Sequence, residues 1–463
     1  MDTDARSNSE VIEQVSDYIS ESGERELPQE VTREAKHHIL DTLAAMVSGS
    51  RLTPGQLAKQ HAKNQGGVEE AQVVASSIVT SAINAAFANA MMAHADETDD
   101  FNRNAVGTQI KSVVHPGCTS VPAALAVAER EGADGMSFLK AVVVGYDIGC
   151  RIFKAIGMEY NLLQKTQFST FGIGGNFAAG AAAAAVAKLP PDLIRYVLSY
   201  TAHQASGQHY WMRDKEHVEK AFVFAGMPAR NGVTAAILIQ SGFTGVWDPF
   251  SGERNFFEPF APHAKPELLA EGLGRHFEIM HTNIKKFPTG GPTLAPIDGL
   301  LFLIEKHGIA ARNVASVRVH VPESHSGPIG DDRNIPTINL QHLLAVALLD
   351  RGLTYESVHS YDRMQDPAVR ETRACIRWVR DPSLFPLQSF VEITTKDGAK
   401  FSHRVENPRG TAGNPMTTEE VEKKCRALLE PVLGKDRAQG LIDRIWNLEQ
   451  VVNMRTLRPL LSA

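Results

Sequence analysis

The sequence predicts a mainly α fold: an all-helical domain made from both chain ends, residues 1–269 and 406–463, plus an inserted α+β domain at 270–405. Apolar residues recur at helical spacing through most of the first part and again near the end of the chain. Between these regions, apolar and polar residues alternate as in a strand. A chain of 463 residues is long enough for such a division.

The helices of the first part are predicted from apolar spacing and from their ends. Ser9 is a candidate N-cap for the helix that contains Val11–Ile19. Pro28 begins the next helix and Gly49 ends it. Asp41 lies beside the apolar side of that helix, so we expect a partner for its charge. Further helices are predicted at Ala71–Ala95, Pro122–Glu131, Ser137–Phe153, Phe177–Lys188, Pro191–Ser206 and Ala229–Ser241.

Strand signals begin after residue 280. Valines at Val317–Val321 alternate with polar residues, and two alternating runs flank the turn Lys396-Asp397-Gly398. Thr417 and Glu420 form a capping box at the start of a helix. The remaining predicted elements are strands Phe390–Thr395 and Ala399–Val405, and helices Pro296–His307, Gln341–Leu349, Thr417–Leu433 and Asp436–Val452.

Composition restricts the class of protein. The formal net charge of −6 makes nucleic acid an unexpected partner. The four cysteines lie far apart, which predicts neither a disulfide framework nor a zinc knuckle and fits a reducing compartment. The N-terminal residues MDTDARSNSE lack the pattern of a signal peptide, so we predict a cytoplasmic protein. Two uncharged stretches, Ala71–Ala95 and Thr166–Ala187, are rich in alanine and are interpreted as core helices rather than membrane spans.

The densest polar cluster, His94–Asp100, follows a predicted apolar helix and contains four acids in five residues. Such crowding raises the pKa of at least one carboxyl unless cations offset it, and a carboxyl with a raised pKa can move protons near neutral pH. A solvated helix end is the alternative. A third interpretation is a magnesium site on Asp96, Asp99 and Asp100, similar to the aspartate-rich motif of isoprenoid synthases. No second metal motif follows in the chain.

Other segments could bind an anion or carry a proton. His115 stands shortly before a helix and is either a proton carrier or a structural residue. His209 belongs to a polar and aromatic loop that is followed by Lys220 and Arg230, whose cations could clamp a carboxylate or face solvent.

Two adjacent lysines, Lys285 and Lys286, precede a Pro/Gly loop where the second domain begins. Such a loop exposes backbone N–H groups, so the pair could bind an anion. A hinge with surface lysines is the alternative.

In order and spacing, these segments resemble the MmgE/PrpD family over nearly the whole chain, from about Val11 to Pro459. The resemblance implies an α+β domain that acts as a lid, an active site in the cleft beneath it, no cofactor, no metal and a homodimer. The segments that carry it are Ala35–Leu43, His94–Asp100, His115-Pro116, Val121–Leu125, Gly145-Tyr146-Asp147 with Arg151, Lys188-Leu189, Gly242–Gly245, Lys285–Pro288 and Pro296-Ile297-Asp298.

The family's acidic motif, His-Ala-x-Asp-x-Asp-Asp-Thr, places its aspartates on Glu97, Asp99 and Asp100, and Phe101 stands where the family has threonine. His115 and Lys285 match the family's next histidine and the lysine at the border of the lid.

Three other segments depart from the family. A His-Pro-Thr segment is replaced by Phe168–Gly172, which has no histidine. The segment Lys220–Gly226 is one residue longer than Lys-x-Leu-His-x-Gly and also lacks its histidine. The family's Cys-Cys-x-x-x-His after the lid lysine is absent. The resemblance therefore implies a less polar pocket and a substrate with an apolar portion and fewer carboxylates than a tricarboxylate.

The hypothesis is a lyase that removes or returns a proton next to a carboxylate of a small acid. Lys285, with Lys220 or Arg230, would stabilise the developing charge, and His115 would carry the proton. Glu97 and Asp99 would orient His115 or act as its partner acid. Asp100, Phe101, His209 and Lys286 complete the predicted substrate-binding set.

This step serves loss of water, loss of carbon dioxide or epimerisation, and dehydration, as in 2-methylcitrate dehydratase, is the first prediction. The alternatives are a magnesium-dependent enzyme of the isoprenoid type and a ligand-binding homologue without catalysis.

Overall fold

The computed structural model describes residues 9–106, 109–157, 167–259, 261, 263–325, 329 and 334–463. Most of them are helical, with a small sheet, as predicted. Residues 1–8, on which the prediction of no signal peptide depends, lie outside the described residues. The helices of the first part are α1 (Glu10–Ser20), α2 (Gln29–Gly49), α3 (Thr53–Gln65), α4 (Ala82–Ala93), α5 (Gly117–Glu131), α6 (Gly135–Ile156), α7 (Thr170–Val186), α8 (Pro191–Gln204), α9 (Val218–Ala221), α10 (Met227–Gln240) and α11 (Glu267–Ala270).

The alanine-rich helix α7 lies at the centre of this bundle, in contact with α6 and α10. Small residues let the helix axes approach closely. A Cβ atom built on Gly232 of α10 would lie only 2.3 Å from the backbone nitrogen of Gly180 in α7. A larger residue at position 232 would therefore push the two helices apart.

The prediction of one continuous helix over Ala71–Ala95 is wrong. Strands β1 (Ala71–Gln72) and β2 (Val79–Thr80) form a short antiparallel hairpin, and α4 begins only after Ser81. The side chain of Asn89 in α4 accepts a hydrogen bond from Val74 N at 2.8 Å and donates one to Gln72 O at 3.0 Å. This amide satisfies two backbone groups of the hairpin and thereby stabilises it against α4.

The acidic segment, defined as His94–Asp100, follows α4 and leads into two antiparallel strands, β3 (Asn102–Val106) and β4 (Gln109–Val114). Strand β4 ends one residue before His115, and α5 begins at Gly117. The strand pair therefore returns the chain so that His115 lies beside the acidic segment.

The α+β part contains a four-stranded sheet of order β6-β5-β7-β8, formed by β5 (Val314–Val321), β6 (Ile376–Arg380), β7 (Ser389–Thr395) and β8 (Lys400–Val405). Strands β7 and β8 form the predicted antiparallel hairpin, while β5 pairs with β6 in parallel. Helix α12 packs on β7 and β8 and forms a separate hydrophobic core with the sheet. The helices of this part are α12 (Leu294–His307), α13 (Leu340–Asp350), α14 (Tyr355–His359), α15 (Tyr361–Gln365) and α16 (Pro367–Ala374).

Two helices, α17 (Thr418–Leu433) and α18 (Lys435–Trp446), follow the sheet and pack against α2. The capping box of α17 is formed as predicted. Lys424 of α17 lies 2.5 Å from Asp41 of α2, which supplies the expected partner. Burial raises the pKa of Asp41 although Lys424 opposes the rise.

In the described part of the chain, one helical run is long and apolar enough to cross a membrane by length and composition. It is Val218–Gln240, and 72% of its most apolar window is buried inside the protein, as in a core helix. The two stretches considered from the sequence contain the shorter apolar helices α4 and α7. All four cysteines are free thiols.

Candidate active site

The acidic segment is buried, and each of its four acids has its own partner. Asp96 lies 2.9 Å from His359, and Glu97 pairs with Lys220. The remaining contacts are those of Asp99 with His94 and His115, and of Asp100 with His38 and Tyr146. The alternative of a solvated helix end therefore does not hold.

His115 and Lys285 meet at Asp99. Nδ1 of His115 lies 2.8 Å from Oδ2 of Asp99, and Nζ of Lys285 lies 3.6 Å from Oδ1. Lys285 is 1% exposed and donates a hydrogen bond to the Glu97 carbonyl at 2.8 Å. A backbone pairing between Phe101 and Asn283 brings this lysine to the acidic segment. One buried carboxylate therefore holds an imidazole and an ammonium group together.

Glu97 is the second carboxylate, after Asp99, that lies near Nζ of Lys285. Its Oε2 is 3.7 Å from Nζ of Lys285, while Oε1 pairs with Lys220 and lies 3.2 Å from Nε2 of His217. His217 and Lys220 stand three residues apart around the start of α9, so both reach the same carboxylate.

The condition for a raised carboxyl pKa is not met at Asp96, Glu97 and Asp99, because cations offset the crowding of the acids. Burial opposes ionisation of Glu97, yet Lys220 and His217 hold its pKa well below the ordinary value. Burial likewise opposes ionisation of Asp99, and His94 with His115 holds its pKa well below the ordinary value. The pKa of Asp96 is also lowered. These acids are thus carboxylates near neutral pH.

His94 shares Asp99 with His115. Its Nδ1 lies 2.9 Å from the same Oδ2 atom, and its ring stacks on Phe224 at 4.6 Å. Burial lowers the pKa of His94 to about 3, so this ring is neutral and donates from Nδ1 to the carboxylate. His115 also directs Nδ1 at Asp99, which leaves Nε2 to exchange a proton.

Two groups of side chains have the residue types of a metal site: the three aspartates of the acidic segment, and Asp99 with two histidines. The proposed magnesium face does not form one site, because Asp96, Asp99 and Asp100 are directed to different partners. Ligand atoms of His94, Asp99 and His115 lie within 4.8 Å of one another and have the donor types for a metal. The ammonium group of Lys285 beside Asp99 opposes a further cation there.

A pocket of about 160 Å³ lies over Glu97 and His115, with a lining drawn from both the helical and the α+β parts. An apolar cavity of ~150 Å³ accommodates a molecule as large as benzene, so this space fits a small organic acid. The polar lining residues are Glu97, Asn102, Arg103, Thr170, His209, Asp214, His217, Lys220, Lys285 and His115. The α+β part contributes Gly290, Gly291, Pro292, Ile329, Ile335 and Ile338.

Three aromatic side chains, Phe171, Trp211 and Phe224, form what we call the aromatic wall of the pocket. Phe171 stacks on Phe224 with ring centroids 3.9 Å apart, and Trp211 meets Phe224 edge-on at 4.7 Å. The ring of His115 lies 5.4 Å from both phenylalanines. Phe224 reaches this position from a π-helical turn, Phe222–Gly226, between α9 and α10.

The predicted site residues fall into two groups. Six of them line the pocket, and Asp99 lies directly behind it. Asp100, Arg230 and Lys286 are not among the described lining residues. The six lining residues are Glu97, Phe101, His115, His209, Lys220 and Lys285.

Local contacts explain why three predicted residues lie elsewhere. Asp100 accepts a hydrogen bond from Gly117 N at 3.0 Å and is enclosed by His38 and Tyr146. The exposed Arg230 bonds to the neighbouring Asn231, and Lys286 lies in a separate polar groove, 3.7 Å from Asp298.

Sequence reasoning missed His217, Arg103 and Phe224. His217 could have been predicted as a neighbour of Lys220, because the two residues stand three positions apart, about one helical turn. Arg103 had no signal of its own, since it lies in a strand that no pattern indicated.

An imidazole held by a buried carboxylate lies beside two ammonium groups at one pocket, an arrangement of the kind found in enzymes, with groups that can carry a proton and bind an anion. Residues 13–269 match the MmgE/PrpD N-terminal domain, and residues 287–450 match the MmgE/PrpD C-terminal domain. The chain belongs to the MmgE/PrpD family. The family predicted from the sequence is confirmed, and with it the prediction of a lyase-class enzyme.

The curated relatives match almost the full chain. Cis-aconitate decarboxylase of Aspergillus terreus is 25% identical, with 99% of this chain and 97% of that protein covered. Cis-aconitate decarboxylase of Homo sapiens is also 25% identical, with 94% and 91% covered. The cis-aconitate decarboxylase-like protein oryM of Aspergillus oryzae is 23% identical, with 99% of each chain covered.

Proposed function

We propose that this chain is a lyase that moves a proton at the carbon next to a carboxylate of a small organic acid. One observation carries the proposal: His115, Asp99 and Lys285 meet in one covered pocket, with contacts of 2.8 Å and 3.6 Å at the shared carboxylate. The proposal includes no cofactor in this step.

His115 is the proton carrier. Asp99 accepts from Nδ1 and thereby fixes the ring, so Nε2 is the atom that takes a proton from carbon or returns one. The negative charge of Asp99 stabilises the imidazolium that forms when Nε2 accepts the proton. His94, which is neutral, donates to the same carboxylate and holds it in place.

Lys285 and Lys220 supply the positive charge. Deprotonation next to a carboxylate places a second negative charge on that group, and buried ammonium groups stabilise it more strongly than water does. Lys285 is almost fully buried, and Lys220 is held against Glu97. Glu97 holds both cations, Lys220 through Oε1 and Lys285 through Oε2.

Three outcomes share this proton transfer. In epimerisation, the carbon regains a proton on the opposite face. In dehydration, His115 removes the hydrogen, the electron pair forms the double bond, and the hydroxyl group on the next carbon takes the proton from His115 and leaves as water. In decarboxylation, the C–C bond breaks, carbon dioxide leaves, and the remaining electron pair at carbon takes the proton from His115. The cis-aconitate decarboxylases among the relatives favour decarboxylation, whereas the sequence analysis favoured dehydration. We propose the proton transfer that these reactions share, and cis-aconitate is one substrate to test.

Proton–deuterium exchange in heavy water tests the proposal across a panel of small mono-, di- and tricarboxylic acids. The parent chain should incorporate deuterium next to a carboxylate of at least one acid. His115→Gln should reduce that exchange by about 10²–10⁴-fold. His203→Gln, which changes an exposed histidine of α8, is the matched control and should leave the rate unchanged.

Undiminished exchange in His115→Gln would contradict the assigned role. If the parent binds an acid but neither exchanges nor converts it, the ligand-binding alternative is favoured. An activity that requires magnesium would favour the isoprenoid-type alternative.

The lid role of residues 270–405, the homodimer and the cytoplasmic location remain part of the proposal. Small-angle scattering with and without a bound acid tests closure, and light scattering tests the dimer. The pocket lining drawn from both parts of the chain supports a lid.

A further inference from the structure

The charge of the pocket limits how many carboxylates a ligand can carry. Among the described residues, the charged ones that line the pocket are Glu97, Arg103, Asp214, Lys220 and Lys285. Three cations against two acids leave one excess positive charge among the described lining residues, and the charges balance once Asp99 behind Lys285 is counted. A second or third carboxylate in this space would remain without a counter-charge, and an uncompensated buried charge is costly.

The wall beside His115 is apolar. Phe224 is 2% exposed and stacks between Phe171 at 3.9 Å and His94 at 4.6 Å, so its ring is held in one orientation. Both phenylalanine rings lie 5.4 Å from His115. A substituent on the reacting carbon that lies against Phe171 and Phe224 therefore contacts aromatic carbon.

The facing side, contributed by the α+β part, is apolar as well. Pro292, Ile335 and Ile338 line it, and Phe101 lies between it and Lys285, whose Nζ is 5.7 Å from the ring centroid. The pocket thus has two apolar surfaces and a lysine end formed by Lys285 and Lys220. Nζ of Lys220, which pairs with Glu97, lies 5.2 Å from the ring centroid of Phe224 and 5.5 Å from that of Trp211, so the lysine end borders the aromatic wall.

We propose that the physiological ligand is an acid with one carboxylate at the lysine end and a hydrocarbon substituent that fills the space between the aromatic wall and the isoleucines. The assignment of the reacting carbon rests on the proposed function, but the preference for this class of ligand does not. Burial of a phenyl or branched alkyl group contributes favourably in this space, whereas a carboxylate there is opposed.

Isothermal titration calorimetry with three matched probes tests this preference. The first is 3-hydroxy-3-phenylpropanoate, the second is malate, which has a carboxylate in place of the phenyl ring, and the third is citrate. The phenyl acid should bind about tenfold or more tightly than malate, and citrate should bind more weakly than the phenyl acid. Malate or citrate binding as tightly as the phenyl acid, or no binding of the phenyl acid at millimolar concentration, overturns the proposal.

Variants of the aromatic wall test whether its residues cause the preference for the phenyl acid over malate. Phe224→Leu and Trp211→Ala should each reduce the ratio of phenyl-acid to malate affinity by about threefold or more. Phe222→Leu changes an aromatic residue in the same π-helical turn that is not a described lining residue and should keep the ratio. Circular dichroism checks that each variant is folded. If Phe224→Leu does not fold, the ratio measured for Trp211→Ala tests the proposal. An unchanged ratio in a folded wall variant counts against the assignment.

Heavy-water exchange with the same probes separates this proposal from the proposed function. If the phenyl acid binds preferentially but exchanges no hydrogen next to its carboxylate, the ligand class holds and the lyase assignment fails. If malate or citrate exchanges and the phenyl acid neither binds nor exchanges, the ligand class fails and the lyase assignment holds.

Discussion

Nε2 of His359 in α14 lies 2.9 Å from Oδ2 of Asp96, the first acid of the acidic segment. The contact joins the α+β part to the residue directly before Glu97. The ring of His359 also stacks on Tyr355 at 4.1 Å, so its position is fixed from both sides. This pair therefore holds α14 against the segment that carries the site.

The His359–Asp96 pair makes stability depend on pH. Burial lowers the pKa of His359, but Asp96 more than offsets this and raises it above the ordinary 6.5. The pKa of Asp96 is lowered below 3.8 because His359 outweighs burial. The protonated histidine stabilises the fold fully below pH 6.5, and this contribution is lost as the pH rises through the raised pKa of His359. The ionised aspartate stabilises the fold above pH 3.8, and this contribution is lost as the pH falls through the lowered pKa of Asp96.

His359→Asn should therefore lower the free energy of unfolding by about 1–3 kcal/mol near pH 6 and by less at alkaline pH, as measured by urea denaturation. The double variant with Asp96→Asn should lose less than the sum of the single variants. Additive losses would show that the two side chains are not coupled.

Removing the carboxylate behind the imidazole should stop catalysis without unfolding the chain. Asp99→Asn loses the charge that fixes His115 and stabilises its protonated form, so kcat should fall by about 10²–10⁴-fold. Steady-state kinetics measures the loss, and circular dichroism checks the fold. Asp192→Asn, an exposed change in α8, is the control; equal kcat values in the two variants would remove Asp99 from the mechanism.

The adjacent lysines offer a matched pair. Lys285→Met removes the buried ammonium group of the pocket and should lower kcat/KM by about 10²–10³-fold. It also removes one of the charges that lower the pKa values of Glu97 and Asp99. Lys286→Met changes the lysine of the separate polar groove and should keep kcat/KM within about threefold. The reverse order of effects would place the anion site at Lys286.

Asp147, in α6, predicts a second dependence on pH. Burial raises its pKa to about 7, although Arg151 and a hydrogen bond from Tyr18 oppose the rise. The folded state then binds this proton more tightly than the unfolded state, so stability decreases as pH rises from about 4 to about 7. Asp147→Asn cannot ionise and should gain stability relative to the parent between about pH 5 and pH 8, by a few kcal/mol in urea titrations. A constant difference between the two proteins over that range would contradict the shifted pKa.

Local sequence signals predicted the elements whose determinants are local. The capping box of α17 and the β7–β8 hairpin depend on residues three or four positions apart, and both are formed. The hairpin before α4 was missed because a side chain inside the helix, Asn89, satisfies its backbone. The spacing of alanines cannot predict a contact between a side chain of the helix and the backbone that precedes it.

The site was predictable in part for the same reason. The acidic segment and His115 are close in sequence, and the family pattern supplied Lys285. The partners His38 and His359 come from distant helices, and no spacing connects them with Asp100 and Asp96. The sequence left open whether cations offset the crowding of these acids, because the positions of the histidines and lysines depend on the fold.

The π-helical turn Phe222–Gly226 has a consequence for how this pocket can vary. A π turn takes up one residue more than an α-helical turn, and each residue of an α-helix adds a rotation of about 100°. Deleting one residue here would present a different side chain at the place of Phe224, while the buried helix α10 kept its register. Selectivity can thus change by insertion or deletion at one turn, and the surrounding bundle need not evolve with it.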